Sequence, residues 1–315
     1  MPRGRFAPSP TGTLHLGNAR TALLAWLDAR AAGARFALRM EDLDHARCPA
    51  GAAERLLADL RWLGLDWDEG PGAGGPHLPY EQSLRGARYD AAVEALAARG
   101  LAYPCWCSRA EIAAAASAPH ADEDGPRYPG TCARGRTEAP SRAPAWRLRV
   151  PEGATVFDDR VLGRLAVDVQ ATVGDFVLRR ADGVASYQLA CALDDADMEV
   201  TDVVRGDDLA PSTPRQLAIL DALGRRAPRY AHVGLVVGVG GERLAKRDRA
   251  AGLTELRARG ADPRAVVGLL AALSGLAPAG ERLRPSDLVP GFSLERVGRG
   301  PAVLDPAAVE RLTQA

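Results

Sequence analysis

Apolar positions at the start of the chain switch between short runs and helical spacing. Arg5-Phe6-Ala7-Pro8 reads as the end of a first strand, followed by a Ser9-Pro10-Thr11-Gly12-Thr13 loop. From Asn18 to Ala32 the residues Ala22, Leu23, Trp26 and Leu27 recur at helical spacing, and Gly33 supplies a stop. Phe36 to Met40 is a second strand running into the acidic cluster Glu41-Asp42-Leu43-Asp44, and Ala52 to Leu63 a second helix stopped by Gly64. Strand, helix, strand, helix at this spacing predicts an α/β fold with a doubly wound parallel sheet. Ligands of such sheets lie beyond the carboxyl ends of the strands, where the Ser9–Asn18 loop and Glu41 are expected.

The pattern then changes character. Residues 70–79 are a Gly/Pro loop and Ser83 to Gly100 a helix. From Pro104 to about Pro144 cysteines, prolines and polar residues dominate. Trp146–Val150 and Val161–Val169 then read as strands of an inserted, partly β module. The parallel pattern is expected to resume at Asp175-Phe176-Val177-Leu178 and to run to Arg229, with helices at Leu253–Arg259, Pro263–Leu273 and Ala307–Leu312. The expected units are therefore 1–103 and 173–240 as two halves of one catalytic domain, 104–172 as an insertion, and 241–315 as a loop with a short helical C-terminal region.

Charge changes the picture by exclusion. Lys+Arg and Asp+Glu are 40 each, so any polyanion would be met by a local basic patch and not by bulk charge. No apolar run is long enough to span a bilayer, the start has no signal-like apolar stretch, and five cysteines are too few for a disulfide scaffold. A soluble, cytoplasmic, monomeric protein is expected. Among the 40 basic residues there is one lysine, Lys246, and the chain has one asparagine, Asn18. Under such a bias a surviving lysine points to a position where arginine cannot substitute.

Both residues sit in suggestive places. His15-Leu16-Gly17-Asn18 lies where a Gly/Pro/Thr loop enters a helix. Free N–H groups and the helix dipole favour a phosphate there, His15 and Asn18 add donors, and Gly17 permits close approach. Alone, this is equally an ordinary turn with a surface histidine. Gly240-Gly241-Glu242-Arg243-Leu244-Ala245-Lys246-Arg247 is a glycine-started cationic loop suited to phosphoryl chemistry, or a solvated charge run. Cys105, Cys107 and Cys132 gather three thiols in one segment, a tetrahedral zinc site lacking one ligand or a cluster of free thiols. His120 is the fourth ligand by residue type. Cys48 and Cys191 read as packed thiols.

Together, His15-Leu16-Gly17-Asn18 resembles the HIGH motif and Arg243-Leu244-Ala245-Lys246-Arg247 the KMSKS motif of class I aminoacyl-tRNA synthetases, with a Rossmann-like catalytic domain. The resemblance to glutamyl-tRNA synthetases extends through Arg5–Gly12, Arg39–Asp44, Gly174–Arg180, Ser186–Ala190, Asp194-Asp195 and Val203–Leu209. Asn18 departs from the final histidine of HIGH, and Leu244-Ala245 from Met-Ser of KMSKS. The stretch after Arg247 is too short for the helical domains that read an anticodon, which resembles the glutamyl-queuosine tRNA(Asp) synthetases, paralogues reduced to the catalytic core. The resemblance implies ATP-dependent, tRNA-independent activation of L-glutamate, with Mg²⁺ on the phosphates. Transfer to queuosine at the wobble position of tRNA(Asp) would follow, the anticodon loop being the contact. It also implies a zinc-bearing insertion with Tyr128 as the fourth ligand.

Glutamate carries an ammonium and two carboxylates, so one acidic and two basic groups are sought. By resemblance Arg5, Phe6, Ala7, Pro8 and Ser9 bind glutamate in the first loop and Glu41 takes the ammonium. Tyr187 and Arg205 meet the remaining groups, with Arg205 on the side-chain carboxylate. His15, Asn18 and Lys246 are the expected catalytic residues, and with Gly17 the expected ATP contacts. The rival readings are a minimal glutamyl-tRNA synthetase charging the 3′ end of tRNA(Glu), and an inactive tRNA-binding scaffold.

Overall fold

The computed structural model describes residues 1–115, 126–135, 141–242 and 252–314. The chain opens with β1 (Arg3–Phe6), α1 (Leu16–Ala31), β2 (Arg35–Leu38), α2 (Ala52–Trp62) and α3 (Gly86–Ala98). It continues through β3 (Ala102–Cys105), α4 (Arg109–Ala115), β4 (Ala145–Leu148), β5 (Thr155–Asp159), β6 (Gly163–Val167) and α5 (Val169–Thr172). Next come β7 (Val177–Arg179), α6 (Tyr187–Asp197), β8 (Asp202–Gly206), α7 (Thr213–Ala222), β9 (Arg229–Val233) and β10 (Val236–Val237). The described elements end with α8 (Leu253–Ala258), α9 (Pro263–Leu273), α10 (Pro285–Leu288), β11 (Ala302–Val303) and α11 (Pro306–Arg311).

The expected α/β architecture is present, with a mixed main sheet of order β2-β1-β8-β9-β5-β6. β2, β1, β8, β9 and β5 run parallel, and β6 is antiparallel to β5. The chain leaves β1 toward β2 on one side and β8 toward β9 on the other. The β1/β8 boundary is therefore a topological switch point, where a crevice opens at the strand ends. α1 is buried along most of its length because it packs across this boundary, and its apolar residues Leu16, Leu23, Leu24 and Leu27 are fully enclosed. At Gly4 a Cβ would lie 3.0 Å from that of Ala29, so glycine sets how closely α1 approaches β1.

Two strands differ from expectation. Val177–Arg179 does not rejoin the parallel sheet but closes a separate antiparallel sheet of order β3-β4-β7. Its burial alternates, with only Leu178 fully enclosed, as suits a sheet covered on one face. Asp175 fixes the arrangement, accepting from the Val150 N–H at 2.9 Å and from the Tyr103 hydroxyl at 2.6 Å. The second difference is the pair β5 and β6. The strand expected at Val161–Val169 is Gly163–Val167, and it pairs with Thr155–Asp159 as a hairpin on the edge of the main sheet.

A second core gathers residues of α3, β4, β7, α6 and α7. Its polar hub is Asp194, which is fully buried. It accepts from Gln82 Nε2 at 2.9 Å, Arg85 Nε at 2.6 Å and Tyr89 Oη at 2.8 Å. Replacing Asp194 with Asn leaves the buried Arg85 without its closest carboxylate. Urea unfolding should register a loss of about 3–5 kcal/mol, the usual cost of breaking a buried pair from one side; a loss under about 1 kcal/mol would show that this hub does not hold α6 in place.

Candidate active site

The crevice at the switch point is a cavity of about 660 Å³. The strand β1 and the loop leaving it supply Arg5, Phe6, Ala7, Pro8 and Ser9 to its wall. The start of α1 supplies His15, Gly17 and Asn18, the segment after β2 supplies Glu41, α6 supplies Tyr187 and β8 supplies Arg205. Eleven of the residues singled out from the sequence therefore meet in one cavity. Cys48 also lines it, whereas Cys191 is fully buried behind Tyr187 on the same face of α6. A smaller hollow of about 490 Å³ adjoins the cavity, sharing Ser9, His15 and Asn18 and reaching Arg55 and Glu255. Lys246 lies outside the described residues. The segment that follows it returns to the same place, since Gly252 bridges His15 and the Leu253 N–H donates to Leu14 O at 2.9 Å.

His15 is the N-cap residue of α1 in extended conformation, and its side chain makes no cap hydrogen bond. The first turn contains no acidic residue, so its free N–H groups and positive dipole end face the cavity uncompensated. A Cβ on Gly17 would meet Val236 at 3.6 Å, an ordinary contact, so protein packing alone does not require glycine there.

The opposite wall is charged and buried. Arg5 is 4% exposed and donates to Asp195 Oδ1 at 3.4 Å. Arg39, fully buried, donates to Asp195 at 2.6 Å and to Glu41 at 3.0 Å. Burial would raise the Asp195 pKa, but Arg39 and Arg5 more than offset it and hold the carboxyl below its usual range. For Glu41 burial wins over the same two arginines and its pKa rises. Burial likewise pushes the Tyr187 phenol up, and the Cys191 thiol up to about 12 with Asp195 and Glu41 adding to it. In the sequence Arg39 and Asp195 stand out only as parts of motifs; the i, i+2 spacing of Arg39 and Glu41, which puts both on one side of an extended segment, is the signal that links them.

Arg205 is 3% exposed and is fixed from below. Its Nε donates to His232 Nε2 at 3.0 Å and its Nη2 to Thr213 Oγ1 at 2.8 Å. Its Nη1 is buried with no hydrogen-bond partner among the described residues. Arg205 lines the cavity, and a guanidinium with one nitrogen left unpartnered keeps a donor for a carboxylate bound beside it. His232 and its partner Asp159 were not singled out from the sequence.

The thiols of Cys105, Cys107 and Cys132 lie within 4.8 Å of one another, away from the cavity. Cys107 Sγ is 3.6 Å from Cys132 Sγ, close to the edge of a tetrahedron with metal–sulfur bonds of about 2.3 Å. Tyr128 Oη lies 3.4 Å from Cys105 Sγ and 3.9 Å from Cys107 Sγ, completing a four-atom set. The Arg147 guanidinium sits 3.8 Å from the Tyr128 ring centroid, a cation–π contact that holds the ring in place beside the thiols. The four side chains fit a zinc ion; His120 lies outside the described residues.

Residues 2–284 match the family of class I tRNA synthetases (E and Q), catalytic domain. The chain belongs to this family. This synthetase is accordingly a ligase of the class I aminoacyl-tRNA synthetase type. It is 51% identical over 317 residues to a glutamyl-Q tRNA(Asp) synthetase of Symbiobacterium thermophilum, with 98% of each chain covered. A glutamate–tRNA ligase of Halorhodospira halophila is 48% identical over 96% of this chain, which spans 65% of that protein. The crystal structure of a glutamate tRNA ligase from Elizabethkingia meningosepticum in complex with its amino acid superposes with a TM-score of 0.84. It is 30% identical, with 99% of this chain and 68% of that one covered. Among the described residues no helix is long and apolar enough to cross a membrane.

The pair beneath Arg205 gives a pH signature. Burial, with Arg205 alongside, lowers the His232 pKa below its ordinary 6.5 despite Asp159. For Asp159 burial acts upward, but hydrogen bonds from His232, Leu162 N–H and Val161 N–H hold the carboxyl at about 2. The unfolded chain thus binds the histidine proton more readily, so stability falls as pH drops through 6.5; the Asp159 contribution is lost only between 3.8 and 2. Thermal unfolding of this synthetase should weaken from neutral pH to pH ~5 more steeply than that of His232→Gln. Parallel curves for the two would show that His232 is not held neutral.

Proposed function

We propose that this synthetase activates L-glutamate with ATP, without tRNA, and transfers the glutamyl group to the cyclopentene-diol of queuosine at the wobble position of tRNA(Asp). The observation that carries the first half is the meeting of Arg5, Glu41, Tyr187 and Arg205 beside the bare N-terminus of α1 in one cavity. Glu41 receives the substrate ammonium, Arg205 the side-chain carboxylate, and Arg5, Ser9 and Tyr187 orient the remainder. His15, Gly17 and Asn18 hold ATP, which enters as its magnesium complex, and Lys246 is assigned to the phosphates from its motif.

The α-carboxylate of glutamate attacks the α-phosphorus in line, and the bond to the bridging oxygen breaks as pyrophosphate leaves. That carboxylate is ionised at neutral pH, so no general base is needed and the protein contributes position and charge stabilisation. A queuosine hydroxyl then attacks the glutamyl carbonyl, AMP departs and an ester forms. Support for this acceptor comes from the relative of Symbiobacterium thermophilum named glutamyl-Q tRNA(Asp) synthetase, which matches along 98% of both chains. The rival acceptor, the 3′ end of tRNA(Glu), is favoured by the 48% identity to a glutamate–tRNA ligase. The enzyme is assigned to the cytoplasm as a monomer that meets the anticodon loop of its tRNA.

The acceptor is decided by charging with labelled glutamate. Label should appear on tRNA(Asp) bearing queuosine, not on tRNA(Asp) without it, and should survive periodate treatment of the 3′ end. Label on the 3′ end of tRNA(Glu) would overturn the queuosine reading and leave the activation step standing.

We also assign Cys105, Cys107, Tyr128 and Cys132 to a structural zinc ion. The purified protein should carry about one zinc per chain by elemental analysis, with Cys107→Ser losing most of it and unfolding at a temperature several degrees lower. Metal-free protein of unchanged thermal stability would reject the assignment.

A further inference from the structure

Arg205, His232 and Asp159 lie on three neighbouring strands of the main sheet. Arg205 on β8 is in register with His232 on β9, and Asp159 ends β5, which pairs with β9 at Tyr230. Their side chains form one buried file: Asp159 Oδ2 to His232 Nδ1 at 2.6 Å, and His232 Nε2 to Arg205 Nε at 3.0 Å. Asp159 and His232 side chains are fully buried. The Tyr230 ring stacks on His232 at 6.1 Å and underlies the Arg205 guanidinium at 5.2 Å.

We propose that Asp159 and His232 are a positioning pair for substrate selection: they lock the imidazole tautomer that holds Arg205 in the cavity wall. This rests on Arg205 being the group that receives the side-chain carboxylate of glutamate. Arg205 Nε–H can only donate, so His232 Nε2 must be the accepting nitrogen and Nδ1 must carry the proton. Asp159 enforces that choice, because a carboxylate facing Nδ1 can only accept. Thr213 Oγ1, 3.2 Å from Nε2 and accepting from Arg205 Nη2 at 2.8 Å, closes the fork. Arg205 is thus held at Nε and Nη2, and its buried Nη1 remains without a partner among the described residues.

The other oxygen of Asp159 makes the test sharp. Oδ1 accepts from the N–H groups of Val161 at 3.0 Å, Leu162 at 2.9 Å and His232 at 3.2 Å. In Asp159→Asn the amide oxygen must take that position, which turns the NH₂ toward His232 Nδ1. The imidazole proton then moves to Nε2 and faces the Arg205 Nε–H, donor against donor. A near-isosteric change that never touches the cavity thereby releases Arg205.

ATP–pyrophosphate exchange with Asp159→Asn, Arg205→Ala and the double variant tests this, because KM values do not depend on the fraction of chains that fold. Asp159→Asn should raise the KM for glutamate roughly tenfold or more, the usual scale for a charge-assisted hydrogen bond, and leave the KM for ATP unchanged. In the Arg205→Ala background the same change should add nothing. An unchanged glutamate KM in Asp159→Asn would overturn the proposal, as would equal losses for glutamate and ATP that persist without Arg205. If Arg205→Ala itself leaves the glutamate KM unaltered, the assignment of Arg205 to the substrate falls, and with it the basis of the inference.

Discussion

A fully buried arginine, Arg39, constrains the site more than any apolar contact does. An uncompensated guanidinium in the interior would cost several kcal/mol, so its partners must be where they are. Glu41 at 3.0 Å and Asp195 at 2.6 Å meet its nitrogens, and Asp194 lies 3.9 Å from its Nε. The backbone reinforces this: Arg39 N–H donates to Phe6 O and Glu41 N–H to Pro8 O, so the acidic segment follows the loop that leaves β1. Arg39 thus joins two loop segments and α6 into one wall.

That wall explains the adjacent aspartates. Neighbours on a helix point about 100° apart, so Asp194 and Asp195, which both lie near Arg39, take their other partners from different sides. Asp194 faces Gln82, Arg85 and Tyr89 and anchors the helix from behind. Asp195 faces Arg39 and Arg5, on the side that also carries Tyr187 and Cys191 at intervals of four. The register of α6 is set by charge pairing as well as by Leu189 and Leu193 in the core.

Local features of the site were legible in the sequence because they are local. The turn into α1, the acidic segment after β2 and the cysteine pair each lie within a few residues, and their residue types carry their chemistry. Asn18, singled out because it is the one asparagine, lines the cavity. His232 was not legible: its partner Arg205 is 27 positions away and Asp159 is 73 positions away, and only strand order brings them together. The same blindness applied to β7, where apolar Leu178, with Phe176 just before the strand, suits either sheet until the polar contacts of Asp175 choose between them. Arg39 shows a third case, a residue read as part of a motif whose burial could not be seen from its neighbours.

The two sheets are not independent supports. Tyr128 in the thiol cluster donates its N–H to Val173 O, and at Gly174, with φ of +74°, a Cβ would lie 2.6 Å from Tyr128 O. Any larger residue there would push the cluster off the sheet that β7 closes. From β7 the chain passes to Ser186, whose N–H donates to Leu178 O and whose hydroxyl accepts from Leu189 N–H as the cap of α6. Tyr187 is the next residue, and its ring lines the cavity. The segment between β4 and β7 also returns to the main sheet as β5 and β6, where it delivers Asp159. One stretch of chain therefore meets the cavity twice, at Tyr187 through the cap of α6 and at Arg205 through the β5 edge, and the thiol cluster packs on that same stretch at Val173 and Gly174.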